Sequence, residues 1–144
     1  MTDAHPSVVQ TVLDCRHPRQ LAEFYRRLLG YEYRPGDETP TDDEDWLVLR
    51  PGSGDHGLAF QLNAEYVRPV WTPEPDRPGD QQMMVHLDLS VPDVASLAAQ
   101  RHRVLELGGT QLLDRSDDEG EPLYVFADPA GHPFCIFVWS RGQE

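Results

Sequence analysis

The sequence predicts an α+β fold of two βαβββ modules whose open sheet faces curl around one cavity. Three observations predict it. The order strand, helix, three strands occurs twice within 144 residues. In each copy an amphipathic helix follows the first strand and stops at glycine. A proline-rich stretch, residues 68–82 (RPVWTPEPDRPGDQQ), separates the copies. A lone helix covers one face of a four-stranded sheet and leaves the other free. Alternate residues of each strand then line the free face, which suits a concave ligand site.

The elements follow in order. Residues 7–15 (SVVQTVLDC) are rich in β-branched residues and read as a strand. Pro18 suits a helix's first turn, and Leu21, Phe24, Tyr25, Leu28 and Leu29 recur at helical spacing up to Gly30. Residues 31–34, 46–50 and 58–62 read as strands, with an acidic loop at 35–45 and a turn at 51–57. In the second copy, residues 83–91 (MMVHLDLSV) read as a strand. Pro92 and Asp93 open a helix carrying Val94, Leu97, Ala98, Val104 and Leu105, which Gly108 and Gly109 stop. Strands at 110–114, 123–127 and 134–139 complete it, with an acidic loop at 115–121 and a turn at 128–133. Gln10 aligns with His86 and Leu21 with Leu97 at one offset; Arg50-Pro51 aligns with Asp128-Pro129 two residues further on. The domain organisation expected is a single domain over 1–144, with module one at 6–67, the linker at 68–82 and module two at 83–140.

Composition narrows the function classes. Acidic residues number 25 against 12 basic ones, all of them arginine, giving a net charge of -13. That charge argues against nucleic acid and an anionic membrane as partners. No apolar run reaches the roughly 20 residues of a spanning helix. The start lacks the basic and apolar regions of a secretory signal, so a cytoplasmic protein is expected. Cys15 and Cys135 fit no metal-knuckle or redox spacing and read as two reduced, half-buried thiols. No phosphate-loop, dinucleotide, nucleophile-elbow or HExxH pattern is present.

The candidate site lies where the strands alternate. His86, Asp88 and Ser90 share one face of their strand; Leu87, Leu89 and Val91 take the other, which would pack under the helix. An imidazole two residues from a carboxylate on one sheet face suits acid–base chemistry. It equally suits hydrogen bonding to a ligand. His86 and Asp88 are therefore the candidate catalytic pair. Phe137 and Trp139 share the face of Cys135, Trp46 begins another strand, and Trp71 is the large apolar residue of the linker. Such aromatic walls suit planar or apolar ligands.

The first strand with Gln10, the FYRRLLG helix end (24–30), the HLDLSVPD stretch (86–93) and DPAGHPFCIFVW (128–139), together with the repeated order, resemble the vicinal oxygen chelate superfamily. That group includes glyoxalase I, bleomycin-resistance proteins and extradiol dioxygenases. The resemblance spans residues 6–140 and looks nearest to single-domain glyoxalase-like proteins of actinobacterial type. It implies that the linker can fold over the cavity mouth. It also implies metal-ligand positions at Gln10, His86, Cys135 and a strand position near Gln61, where metal-binding relatives mostly carry His and Glu. Neutral amides are weak ligands, so the standard metal set is missing and no cofactor is expected. Where a divalent metal does bind, it would fall to His86, Gln10 and Cys135.

Ligand contacts are expected from Gln10, Gln61, Trp71, Cys135, Phe137 and Trp139. The leading expectation is a glyoxalase-like small-molecule binder, with a metal-free isomerase or lyase step through His86. The second is a binder that sequesters an antibiotic or metabolite, and the third a divergent metal-dependent glyoxalase or dioxygenase. The residues leave open whether the chain is an enzyme. The resemblance implies a homodimer.

Overall fold

A computed structural model describes residues 5–54, 56–71 and 81–139. The chain divides into two compact units, Met1–Tyr66 and Val67–Glu144. The first contains β1 (Gln10–Cys15), α1 (Pro18–Leu29), β2 (Glu32–Tyr33), β3 (Trp46–Arg50) and β4 (Gly57–Leu62). The second contains β5 (Pro69–Val70), β6 (Gln81–Gln82), β7 (Leu87–Val91), α2 (Val94–Glu106), β8 (Thr110–Arg115), β9 (Leu123–Ala127) and β10 (Pro133–Val138). Of the expected linker, residues 72–80 lie outside the described residues; on either side of them β5 and β6 pair in parallel.

The two four-stranded sheets share a topology, β1-β4-β3-β2 and β7-β10-β9-β8. In each, the first strand runs parallel to the last, and the middle pairs are antiparallel. Both first strands are shorter than expected. The parallel ladder of β1 begins at Gln10 opposite Gly57, after His56 at a φ of 56°, where the strand geometry breaks. That of β7 begins at Leu87 opposite Phe134; Pro133, the next residue back, has no N–H to offer. Residues 7–9 and 83–86 therefore stay outside the ladders despite their β-branched and apolar character.

α1 buries Leu21, Ala22, Phe24, Tyr25 and Leu28, with Pro18 in its first turn. Gly30 ends it at a φ of 72°, and its N–H donates to the Arg26 carbonyl. Tyr25 stacks on Phe60 of β4, so the helix seals that face of the sheet. α2 opens on Asp93, whose side chain accepts from the Ser96 N–H at 2.7 Å. It buries only Leu97 and Val104; Val94 and Leu105 are exposed, contrary to the expected apolar stripe. Arg101 supplies the remaining seal, donating to Gln111 at 2.6 Å and lying 5.8 Å from the Tyr124 ring centre.

The register corrects the internal alignment. Val12 pairs with Ala59 as Asp88 pairs with Cys135, which keeps one offset for the first and last strands. The Arg50-Pro51 and Asp128-Pro129 match is therefore shifted: Leu49 faces Leu58 where Phe126 faces Phe134.

A polar cluster flanks α1. Glu23 accepts from Arg26 at 2.7 Å and from the Tyr33 hydroxyl at 2.6 Å. Arg19 pairs with Glu44 and lies 4.7 Å from the Tyr33 ring centre. The Arg26 guanidinium, aided by Tyr33, holds the Glu23 carboxyl down to about 2. A depressed carboxyl contributes stability above its ordinary value and loses it as pH falls through the folded value. Part of the acid unfolding, from about pH 4.5 downwards to about 2, is thus assigned to Glu23. In acid titrations followed by circular dichroism, Glu23→Gln should flatten that part of the curve. An unchanged curve would remove Glu23 from the account.

Candidate functional site

The site is built on β7 and its neighbour β10. Along β7, Leu87, Leu89 and Val91 are half-buried, whereas Asp88 and Ser90 are exposed. The apolar set belongs to the α2 side, since Phe134 and Ile136, their partners on β10, are both buried. The other face carries His86, just before the ladder, then Asp88, with Cys135 directly beside it in register. Ser90 and Phe137 form the next pair on that face, and Val125 of β9 lies opposite Cys135.

Three donors converge there. His86 Nε2 lies 3.2 Å from Asp88 Oδ1. One ligand atom each from His86, Asp88 and Cys135 lies within 4.8 Å of the others. Their exposures differ: the His86 and Asp88 side chains are 33% and 60% exposed, and Cys135 is 8% exposed. The thiol forms the floor and the other two groups the rim. Burial first, then the Asp88 carboxylate, pushes the Cys135 thiol up to about 11, with Glu121 adding to the effect. Trp71 meets the His86 ring edge to face, with centres 5.3 Å apart and planes at 77°. The aromatic residue expected of the linker thus stands against the expected catalytic imidazole.

The other expected residues take these positions. Gln10 begins β1, half-buried and opposite Gly57. Gln61 is exposed near the end of β4, where its amide donates to Asp14 at 3.4 Å. The β4 position equivalent to Cys135 is Ala59, so Gln61 matches Phe137 instead. Trp46 faces Gln61 across β3 and β4. Trp139 follows β10, is 38% exposed, and donates its N–H to the Val91 carbonyl at 2.9 Å. Neither Cys15 nor Cys135 is in a disulfide, and both are buried rather than half-buried.

The sequence reading gave Asp88 to acid–base chemistry and Gln10 to the metal alternative. Among the described residues, Asp88 joins His86 and Cys135 in a group of three donors within the second unit. The signal was visible as alternation in HLDLS, but the partner on β10 depends on the parallel register. An imidazole, a carboxylate and a thiol on one floor and rim suit a borderline-soft cation such as zinc.

Comparison with known proteins agrees with this architecture. The family model described as "Glyoxalase-like domain" matches residues 10–137. A glyoxalase/bleomycin resistance protein/dioxygenase family enzyme from Burkholderia phytofirmans PsJN is similar at a TM-score of 0.69 and 14% identity, covering 92% of this chain and 98% of that one. The fosfomycin resistance protein FosX from Mesorhizobium loti gives a TM-score of 0.60 at 12% identity, covering 99% and 98%. A lactoylglutathione lyase from Agrobacterium tumefaciens gives 0.57 at 16% identity, covering 92% of each chain. No curated protein matches. These likenesses show the vicinal oxygen chelate fold, the α+β class expected, with both sheets open rather than closed into barrels. They carry no sign of an actinobacterial branch.

Proposed function

We propose, because this chain belongs to the glyoxalase-like domain family, that it binds a small molecule at the face of β7 and β10 turned away from α2. One observation supports this reading above others: His86, Asp88 and Cys135 converge on that face with Trp71 against the imidazole. Trp71 and Phe137 offer apolar surface to a ligand, and Ser90 and His86 offer it hydrogen bonds. Trp139, next after β10, is taken as a further contact. The reading includes a homodimer in the cytoplasm. Among the described residues, no helix is long and apolar enough to cross a membrane.

The approach of His86 to Asp88 at 3.2 Å favours a second reading, a metal-free isomerase or lyase step. With Nε2–H donating to Asp88, Nδ1 keeps the lone pair. It would take a proton from the bound ligand and return it to a neighbouring atom of the same ligand, so that no atom or electron is gained or lost.

Fluorescence of the tryptophans reports binding directly. S-lactoylglutathione, fosfomycin and bleomycin serve as probes, following the names of the structural neighbours. A binder should show saturable quenching that Trp71→Ala weakens. If the His86 step operates, His86→Gln should lower turnover about 100- to 10,000-fold while binding persists. Turnover untouched by His86→Gln would remove the catalytic reading. Binding that survives unchanged in Trp71→Ala and in His86→Gln would move the ligand off this face. A sequestering protein is the outcome in which Trp71→Ala abolishes binding and no probe is turned over.

A further inference from the structure

We propose that the first unit's sheet, on the face turned away from α1, holds a neutral sugar ring, with Asp14, Gln61 and Asn63 bonding its hydroxyls and Trp46 against its C–H face. The reading goes beyond the small-molecule face of β7 and β10 and does not rest on it, because every residue it uses belongs to the first unit.

The register builds the row. Phe60 stacks on Tyr25 of α1, so its neighbours along β4, Ala59 and Gln61, take the opposite face. Asp14 of β1 and Trp46 of β3 flank Gln61 in register and share that face. The row covers two strand spacings, about 9–10 Å, a width that one sugar ring and its substituents fill. Gln61 is exposed, and Asp14, Asn63 and Trp46 are half-buried, so each keeps surface open to a ligand. The end of the sheet is fixed. Asn63 donates its N–H to the Cys15 carbonyl at 2.8 Å, and Arg16 donates twice to the Tyr66 carbonyl, at 3.2 and 3.1 Å.

The hydrogen-bonding pattern selects the ligand. Asp14 Oδ1 accepts from Gln61 Nε2 at 3.4 Å, and Oδ2 accepts from Asn63 Nδ2 at 3.1 Å. Asn63 Oδ1 accepts the Glu65 N–H at 3.0 Å, which sets the amide with its NH2 group towards Asp14. Each carboxylate oxygen keeps a lone pair, and each amide keeps a second N–H. Donors and acceptors therefore alternate along the row. Vicinal hydroxyls match such a set, because each hydroxyl both donates and accepts. The bonds to the carboxylate are the strong ones. Beside them the indole of Trp46 offers a flat apolar surface. Asp14 has no ion pair among the described residues, so its charge disfavours an acidic sugar.

The fold does not demand this row. In the second sheet, with the same order and directions, the corresponding residues are Ser90, Phe137 and Leu123. That row is apolar except for one hydroxyl. A half-buried carboxylate carries a desolvation cost that the second sheet avoids.

The test uses the full chain and follows each sugar by saturation-transfer NMR and calorimetric titration. The probes are methyl β-D-glucopyranoside, methyl β-D-galactopyranoside and methyl α-D-mannopyranoside. At least one should bind, with one equivalent per chain. Cyclohexylmethanol, a ring of similar size without vicinal hydroxyls, should bind at least about 10-fold more weakly. The methyl glucuronide should also bind more weakly. Asp14→Asn should weaken the sugar about 10- to 100-fold, the size of one hydrogen bond to a charged group. Gln61→Leu should weaken it by about 10-fold, and Trp46→Ala should abolish binding. Circular dichroism checks each fold, and the exposed Gln61→Leu carries the test if Trp46→Ala misfolds. The proposal is overturned by a wild type that binds none of the three sugars, by equal binding of cyclohexylmethanol, or by affinity untouched in both Asp14→Asn and Gln61→Leu. His86→Gln and Trp71→Ala should leave sugar binding unchanged; a loss in either assigns the sugar to the face of β7 and β10 and overturns the proposal. Quenching by the probes of that other face should persist in Gln61→Leu, so the two readings fail separately.

Discussion

Phe60→Ala is expected to destabilise the protein by about 3–5 kcal/mol, among the largest effects of any single truncation. Phe60 is wholly buried in β4 and stacks on Tyr25, also wholly buried, at 6.0 Å between ring centres. It has Leu47 opposite it on β3 and Leu13 on β1, so the ring lies where helix and three strands meet. Truncation leaves a cavity that paired strands on both sides cannot close. Phe24 packs edge-on to Tyr25 at 5.0 Å and would lose its support in turn. Phe60→Leu keeps most of the volume and should cost only about 1–1.5 kcal/mol. Guanidinium unfolding measures both, and the midpoint should fall without a change in slope. Amide exchange should quicken from β1 to β4. A loss below about 1 kcal/mol in Phe60→Ala would mean that the sheet and α1 collapse into the space.

Asp128→Ala should cost about as much, roughly 3–5 kcal/mol, for an electrostatic reason rather than a volumetric one. Asp128 is 1% exposed. Its Oδ1 accepts the Ala130 N–H at 2.9 Å and the His132 N–H at 3.0 Å. Its Oδ2 lies 2.9 Å from His132 Nδ1. The carboxylate thereby organises the turn that aims β10, and with it Cys135. Alanine would strand two backbone donors and an imidazole in a site with little access to water. His132→Ala should cost only about 1–2 kcal/mol, because Asp128 keeps both backbone donors. The order of the two losses is the check. If His132→Ala costs as much as Asp128→Ala, the imidazole rather than the backbone turn is what Asp128 supports.

Much of this fold was legible because its signals are local. Leu21, Phe24, Tyr25 and Leu28 at helical spacing, Gly30 at the stop, and the alternation of Leu87, Leu89 and Val91 need no distant partner. The order of elements and both acidic loops follow from the same kind of signal. Strand ends were not legible, because they are set by the neighbouring strand. Val8 and Val9 favour extended chain, yet the ladder waits for Gly57; Met84 and Val85 precede a ladder that Pro133 delays. The site divided in the same way. Asp88 and His86 on one face could be read from alternation. Their meeting with Cys135 required the register of β10, and the contact of Trp71 with His86 required the path of the chain before residue 72. The stripe on α2 misled because Val94 and Leu105 stay exposed while Arg101, a charged residue outside the stripe, covers Tyr124.

The parallel pairing of β1 with β4, and of β7 with β10, has a consequence for biosynthesis. The opening strand of each unit has no hydrogen-bonded neighbour until the closing strand has left the ribosome. Helix α1 and the β3–β4 hairpin can form early, because their contacts are short in sequence. The parallel pair cannot, since closing so long a loop is slow and entropically unfavourable. Emergence of Leu62 from the ribosome therefore marks the earliest moment at which the first sheet is whole, and emergence of Val138 the earliest for the second. A ribosome stalled between those points holds one finished sheet and one whose edge strand is still waiting, an aggregation-prone interval that chaperones would have to cover.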